Sequence, residues 1–172
     1  MNRARSNMIF GVALIAAVTF SAFAKDTEGK LSVLGGVSFL NSTKAYSLGV
    51  YQLNGQGKWG LGGGIEAGRI EENPDGGYYT QSDFYAARVV LTYGVTDQIY
   101  IAPNLGVIHS TLDRSYFYAG RDHVDHHTYT GVTPGVDFIV ENEGWTGSVG
   151  VSQLPLVDRS ETAFNFKVGW SF

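Results

Sequence analysis

The chain is predicted to be all-β, an eight-stranded antiparallel up-and-down transmembrane β-barrel. Three observations predict it. Eight stretches alternate apolar residues with small or polar ones, at the two-residue period by which a strand sends successive side chains to opposite faces. The connections alternate short and long, as in barrels with tight turns at one membrane surface and longer loops at the other. The final stretch, 162–172, is the most regular of all. It places Phe164, Phe166, Val168, Trp170 and Phe172 on one parity and Ala163, Asn165, Lys167, Gly169 and Ser171 on the other. One oily face on a strand of this length suits lipid, with a polar interior behind it. A soluble eight-stranded barrel would pack its apolar residues inside. Here the inward set is expected to be too small, too glycine-rich and too charged for a dry core.

The composition agrees. The 172 residues hold 16% charged residues, 13% aromatics and 23 glycines, and no cysteine. Disulfides and Cys-ligated metals are excluded. A pI near 5.5 argues against a nucleic-acid partner. Residues 1–24 have the pattern of a cleaved signal peptide. Arg3 and Arg5 start it, 8–20 is almost wholly apolar, and Ala22-Phe23-Ala24 sets cleavage after Ala24. An uncleaved anchor is the alternative. The barrel domain is then 25–172, with ten basic against sixteen acidic residues and no apolar run long enough for a spanning helix. An exported barrel belongs in the outer membrane of a Gram-negative bacterium, as a multi-pass protein.

The strands follow in order. The first, 31–40, sets Leu31, Val33, Val37 and Phe39 against Ser32, Gly36 and Ser38, and 41–43 turns. The second, 45–53, carries Tyr46, Leu48 and Val50 on one parity, and Asn54-Gly-Gln-Gly57 turns. In the third, 58–69, Trp59, Leu61, Ile65 and Ala67 alternate with Gly60, Gly62, Gly64, Glu66 and Gly68. So many glycines weaken a soluble strand but suit a crowded interior beside large neighbours. A polar loop is expected over 70–82. The fourth strand, 83–93, sets Tyr85, Ala87, Val89, Leu91 and Tyr93 opposite Arg88 and Thr92, before a turn at 94–97. The fifth, 98–108, groups Ile99, Ile101, Leu105 and Val107, and the longest loop is expected over 109–127. The sixth, 128–140, points Val132, Pro134, Val136, Phe138 and Val140 outward, and 141–144 turns. Pro103 and Pro134 each cost these strands a ladder hydrogen bond. The seventh, 145–154, precedes a loop around 156–159 and the closing strand.

Leu91-Thr-Tyr-Gly-Val-Thr-Asp-Gln-Ile-Tyr-Ile-Ala-Pro-Asn-Leu-Gly106, Gly131-Val-Thr-Pro-Gly-Val-Asp137 and the terminus Gly169-Trp-Ser-Phe172 carry a resemblance. The chain resembles the small eight-stranded outer-membrane proteins of the OmpX/Ail type and is similar to the OmpA membrane domain. The likeness is one of pattern over the mature chain, with degenerate motifs. It implies adhesion, serum resistance or an envelope-structural role rather than catalysis. The chain departs from the family in its very short first loop. It also shows no peptidoglycan-binding domain, so wall tethering is not implied.

Four constellations bear on chemistry. Glu66, Arg88, Asp137 and Lys167 fall on the inward parity, with Asn104 and Asn165. Buried charges must pair, so they are expected to plug the barrel, with Glu66 or Asp137 opposite Lys167. A narrow ion channel is the sharper alternative. The histidines His109, His123, His126 and His127, with Asp113, Asp122 and Asp125, occupy the expected third long connection. Their spacing matches no metal motif, so no cofactor is expected. Zn²⁺ or Cu²⁺ binding would need a helical turn, whereas a strand would point His126 and His127 apart. The segment could also carry a surface charge that varies with pH.

Third, His109, Ser110 and Asp113 invite comparison with acyl hydrolases acting on lipopolysaccharide. Strand neighbours face opposite ways, however, and no enzyme is expected. Fourth come the rim residues. Tyr78, Tyr79, Tyr116, Phe117 and Tyr118, together with His123, His126 and His127, are candidate loop contacts for a host or surface ligand, or else girdle aromatics. Arg69, Arg114 and Arg121 are candidates for lipopolysaccharide phosphates. Phe166, Trp170 and Phe172 resemble the carboxyl-terminal signal read by the barrel-assembly machinery. The expected protein is a monomer that displays its loops for adhesion or sustains the envelope.

Overall fold

The computed structural model describes residues 29–40, 44–72, 78–118, 121–157 and 159–172, with backbone alone at 70–72, 78–80, 116–118 and 121–123. The proposed signal peptide and the 41–43 turn lie outside them. Eight strands close into one barrel: β1 (Lys30–Phe39), β2 (Lys44–Leu53), β3 (Trp59–Glu72), β4 (Tyr78–Gly94), β5 (Ile99–Tyr118), β6 (Arg121–Asn142), β7 (Trp145–Pro155) and β8 (Ser160–Ser171). Every neighbour pair is antiparallel, and β8 returns to β1 in register from Ser32↔Ser171 to Phe39↔Phe164. Closure leaves the barrel wall without an edge.

The parity read from sequence is the parity of the wall. Val33, Leu48, Val89, Leu105, Val136, Val149 and Val168 are exposed on the outside. Trp59 packs on Tyr93 at 4.8 Å and Trp145 on Trp170 at 5.1 Å, edge to face in the second case, near the short-turn end. Phe39 meets Phe166 at 5.8 Å higher on the wall. An apolar belt edged by aromatics is the outer surface of a membrane barrel. The short turns are built as the residues require. Between β6 and β7 only Glu143 (φ 49°) and Gly144 (φ 92°) intervene. Two positive φ values make this the tight hairpin turn whose twist matches the strands.

Two expectations need correcting. The loops expected at 70–82 and 109–127 are mostly strand. β3 runs to Glu72, β4 starts at Tyr78, β5 reaches Tyr118 and β6 starts at Arg121. Tyr78, Tyr79, Tyr116, Phe117, Tyr118, His123, His126 and His127 therefore stand on strands rather than in loops. Apolar alternation marks a strand only where its two faces meet different media. Over 124–130 both faces are exposed, and the signal vanishes while the ladder continues; at Ser82, Ser110 and Leu112 the inner face is still buried, but it mixes polar with apolar residues. The interior is also less polar than expected. Leu40, Ala45, Phe84, Ala86, Ile108, Leu154, Leu156 and Ala163 form one buried apolar cluster toward the long hairpins. Leu34, Tyr51, Leu53, Val90, Tyr100, Ala102 and Ile139 form a second toward the short turns. No strand contributes more than two residues to either cluster, so strand-by-strand reading misses what converges across the lumen. Pro134 sits one residue past the last β6–β7 pair, where proline is tolerated.

Candidate functional site

Between the two apolar clusters lies the charged layer. Arg88 Nη2 donates to Glu66 Oε2 at 2.7 Å and Nη1 to Asn104 Oδ1 at 3.1 Å. Asn104 Nδ2 donates to Asp137 Oδ2 at 3.4 Å, and Lys167 Nζ donates to the same oxygen at 2.7 Å. Lys167 thus takes Asp137, and Glu66 takes Arg88. The glycines make room for this. A Cβ on Gly150 would strike Asp137 Oδ1, one on Gly106 would meet Arg88 Cγ at 2.7 Å, and one on Gly36 would meet Lys167 Cγ at 2.6 Å. Long charged side chains lie flat over strands that offer no side chain of their own.

Three participants in the interior polar layers escaped the sequence. Tyr51 lies under the Lys167 ammonium, 5.7 Å from ring centroid to Nζ. It shares the inward parity of Ala45, Ser47 and Gly49, which was the available signal. Glu141 accepts from Lys30 Nζ at 2.7 Å, and Glu161 forms an ion pair with Arg159, Oε1 lying 2.7 Å from Nε. In sequence Glu141 falls in the expected 141–144 turn. Glu161 could have been found by extending the last strand's alternation two residues back from Ala163.

The paired charges lie between two buried apolar clusters, the arrangement expected of a plugged lumen. The barrel reconstituted in planar bilayers is expected to give no stable single-channel steps. Regular steps well above the bilayer background would overturn the plugged lumen.

The second feature is what β3–β6 do beyond the apolar belt. On the outer face the last apolar row ends at Val107↔Val132. β5 continues eleven residues past Val107, roughly 35 Å of strand. The rows above are mainly polar, with Tyr85 and Val124 the exposed exceptions. Arg69 holds Asp83 with two bonds, Nε to Oδ1 at 2.6 Å and Nη2 to Oδ2 at 3.3 Å. His109 Nδ1 meets Thr130 Oγ1 at 3.0 Å, and His126 Nδ1 meets Asp113 Oδ1 at 2.5 Å. β7 accompanies β6 only up to Gly135↔Ser152. Past that pair Thr133 Oγ1 still donates to the Gln153 carbonyl of β7 at 2.7 Å. Among the described residues, 121–131 of β6 pair with no strand on that side, and residues 124–130 are all exposed.

The structure separates the other candidate sets. Ser110 is fully buried on the inner face, while His109 faces outward to Thr130, so no nucleophile and base meet there. His126 and His127 point to opposite faces of β6, and no metal-holding group of three occurs among the described residues. Arg69 stands at the rim of the belt. Arg114 stands seven residues above Val107 on β5, and Arg121 begins β6 at the far tip.

At the seam, Leu31 N–H donates to the Phe172 carbonyl at 3.2 Å and Phe172 N–H to the Leu31 carbonyl at 2.9 Å. The terminal residue therefore locks the barrel seam, beyond any signal it provides to assembly machinery. Deleting Phe172 is expected to lower the folded, heat-modifiable form severalfold in cells. Unchanged surface levels would refute its role.

A closed eight-stranded barrel with an apolar aromatic belt and a sealed polar lumen has the fold of the small outer-membrane barrels. No protein-family model and no curated protein sequence matches the chain. Solved structures do. The chain is similar to Ail, the attachment invasion locus protein of Yersinia pestis, at 14% identity and TM-score 0.69, over 85% of this chain and all of that one. Ail in complex with the heparin analogue sucrose octasulfate aligns at 13% identity and TM-score 0.68, with the same coverage. Ail in a phospholipid bilayer nanodisc aligns at 13% and 0.57, over 84% of this chain and all of that one.

Proposed function

We propose that this chain is a monomeric, non-catalytic protein of the Gram-negative outer membrane that holds the β3–β6 sheet above the lipid as a surface for adhesion. The observation that carries this is the projecting sheet with the bare edge of β6 over 121–131. A bare edge offers a ladder of backbone donors and acceptors, which an extended segment of another protein can complete. Proteins usually cover or shorten such edges, and this one is long and lifted clear of the barrel. The likeness to Ail, named for attachment and invasion, supports the same reading.

The charge of the sheet narrows the partner. Above the belt, the described residues of β3–β6 carry Glu71, Glu72, Asp83, Asp113, Asp122 and Asp125 against Arg69, Arg114 and Arg121. Six carboxylates against three guanidiniums disfavour a polyanion such as heparin at neutral pH. They favour an extended polypeptide of neutral or basic character on a host cell or matrix. Arg69, at the rim, is the residue best placed for lipopolysaccharide phosphates.

Replacing 109–127 by a two-residue turn is expected to leave the barrel folded and heat-modifiable and to abolish binding to host cells or matrix. Binding that survives the replacement would refute the reading. A barrel that no longer inserts would show that the projecting sheet is needed for folding.

A further inference from the structure

The charged layer encloses a cavity of about 20 Å³, lined by Ser38, Ser47, Glu66, Asp137, Asn165 and Lys167 among others. Five buried polar atoms on these side chains have no protein partner: Ser38 Oγ, Ser47 Oγ, Glu66 Oε1, Asp137 Oδ1 and Asn165 Oδ1. Ser38, Glu66, Asp137 and Asn165 are all more than nine-tenths buried. Leaving so many polar atoms unsatisfied would be costly to the fold. We propose that this cavity is a specific binding site for one structural water molecule, which adds a second bridge between the Glu66–Arg88 and Asp137–Lys167 pairs beside the one through Asn104.

The chemistry selects water. The volume exceeds the roughly 10–15 Å³ that one water requires and falls short of an organic ligand. Glu66 Oε1, Asp137 Oδ1 and Asn165 Oδ1 can only accept, while Ser38 and Ser47 each bring one hydroxyl donor. A water donates two hydrogen bonds and accepts two, so it can serve two of the three acceptors and receive both serines. A metal cation does not suit the site. Arg88 and Lys167 already neutralise Glu66 and Asp137, and an added charge would stand uncompensated in a lumen closed by apolar clusters. Those clusters also predict slow exchange, because the water leaves only when one of them opens.

Magnetic relaxation dispersion of water oxygen-17, on the full barrel in deuterated detergent micelles, counts waters that stay longer than the particle tumbles. The unaltered protein is expected to hold such a water. Ser47→Val, which removes a hydroxyl and fills the cavity with methyls, is expected to lower the count by one. Ser38→Val serves if Ser47→Val does not fold. No long-lived water in the unaltered protein would overturn the proposal. So would an undiminished count in a folded variant, or sodium-23 dispersion revealing a bound cation.

Discussion

Asp137→Ala is expected to destabilise the barrel by about 3–5 kcal/mol, because it leaves a buried ammonium without its partner. Lys167 keeps less than a tenth of its side chain exposed, and its Nζ lies 2.7 Å from Asp137 Oδ2. Asn104 loses its own bond to that oxygen as well. Urea unfolding in lipid vesicles, followed by tryptophan fluorescence, reads the effect. The double variant Asp137→Leu, Lys167→Met is expected to recover most of the loss. A buried pair replaced whole by apolar groups of similar volume is often neutral, whereas half a pair is not. A single-variant loss under about 1 kcal/mol would mean that the pair is hydrated and not enclosed as described.

Gly169→Val is expected to prevent barrel closure altogether. A Cβ at Gly169 would land on the carbonyl oxygen of Val33, with the Val33 carbonyl carbon at 2.7 Å and Leu34 Cα at 2.8 Å. These are backbone atoms of β1 across the seam, where Leu34 pairs with Gly169. They cannot turn aside as a side chain would. Overpacking in an interior ordinarily costs about 1–3 kcal/mol, and a collision with the backbone of the closing strand exceeds that. The heat-modifiable band is expected to disappear. Gly147→Ala is the control, since its Cβ would come no closer than 4.0 Å to anything, and near-normal folding is expected. A normal Gly169→Val barrel would show that the β1–β8 register differs from the one described.

Several elements of this fold could be read without coordinates because their cause is local. Alternation along a strand follows from backbone geometry, so the outward faces of β1–β8 were assigned from residue type alone. The inward charges Glu66, Arg88, Asp137 and Lys167 followed from the same parity. The pairing among them did not. Lys167 had two acidic candidates, and its choice of Asp137 depends on β7 placing Gly150 between the two strands. Tyr51 shares the inward parity of its strand, but only the closed barrel brings Lys167 over its ring.

The upper sheet was illegible for a different reason. His109, Asp113, Asp125 and His126 carry no apolar rhythm: residues 124–130 are exposed on both faces, and around His109 the buried inner face alternates Ile108, Ser110 and Leu112. Their strand character comes from pairing between β5 and β6, which is a property of the hairpin and not of either segment. By itself the sequence determined the fold class, the two faces of the wall and the identity of the interior charges, because each follows from a period of two. Only the tertiary structure decided that the lumen is closed by two apolar clusters, which charges pair, and that four strands rise beyond the belt with one edge bare. Those properties arise where residues far apart in the chain converge, and register, which no local pattern encodes, sets where they meet.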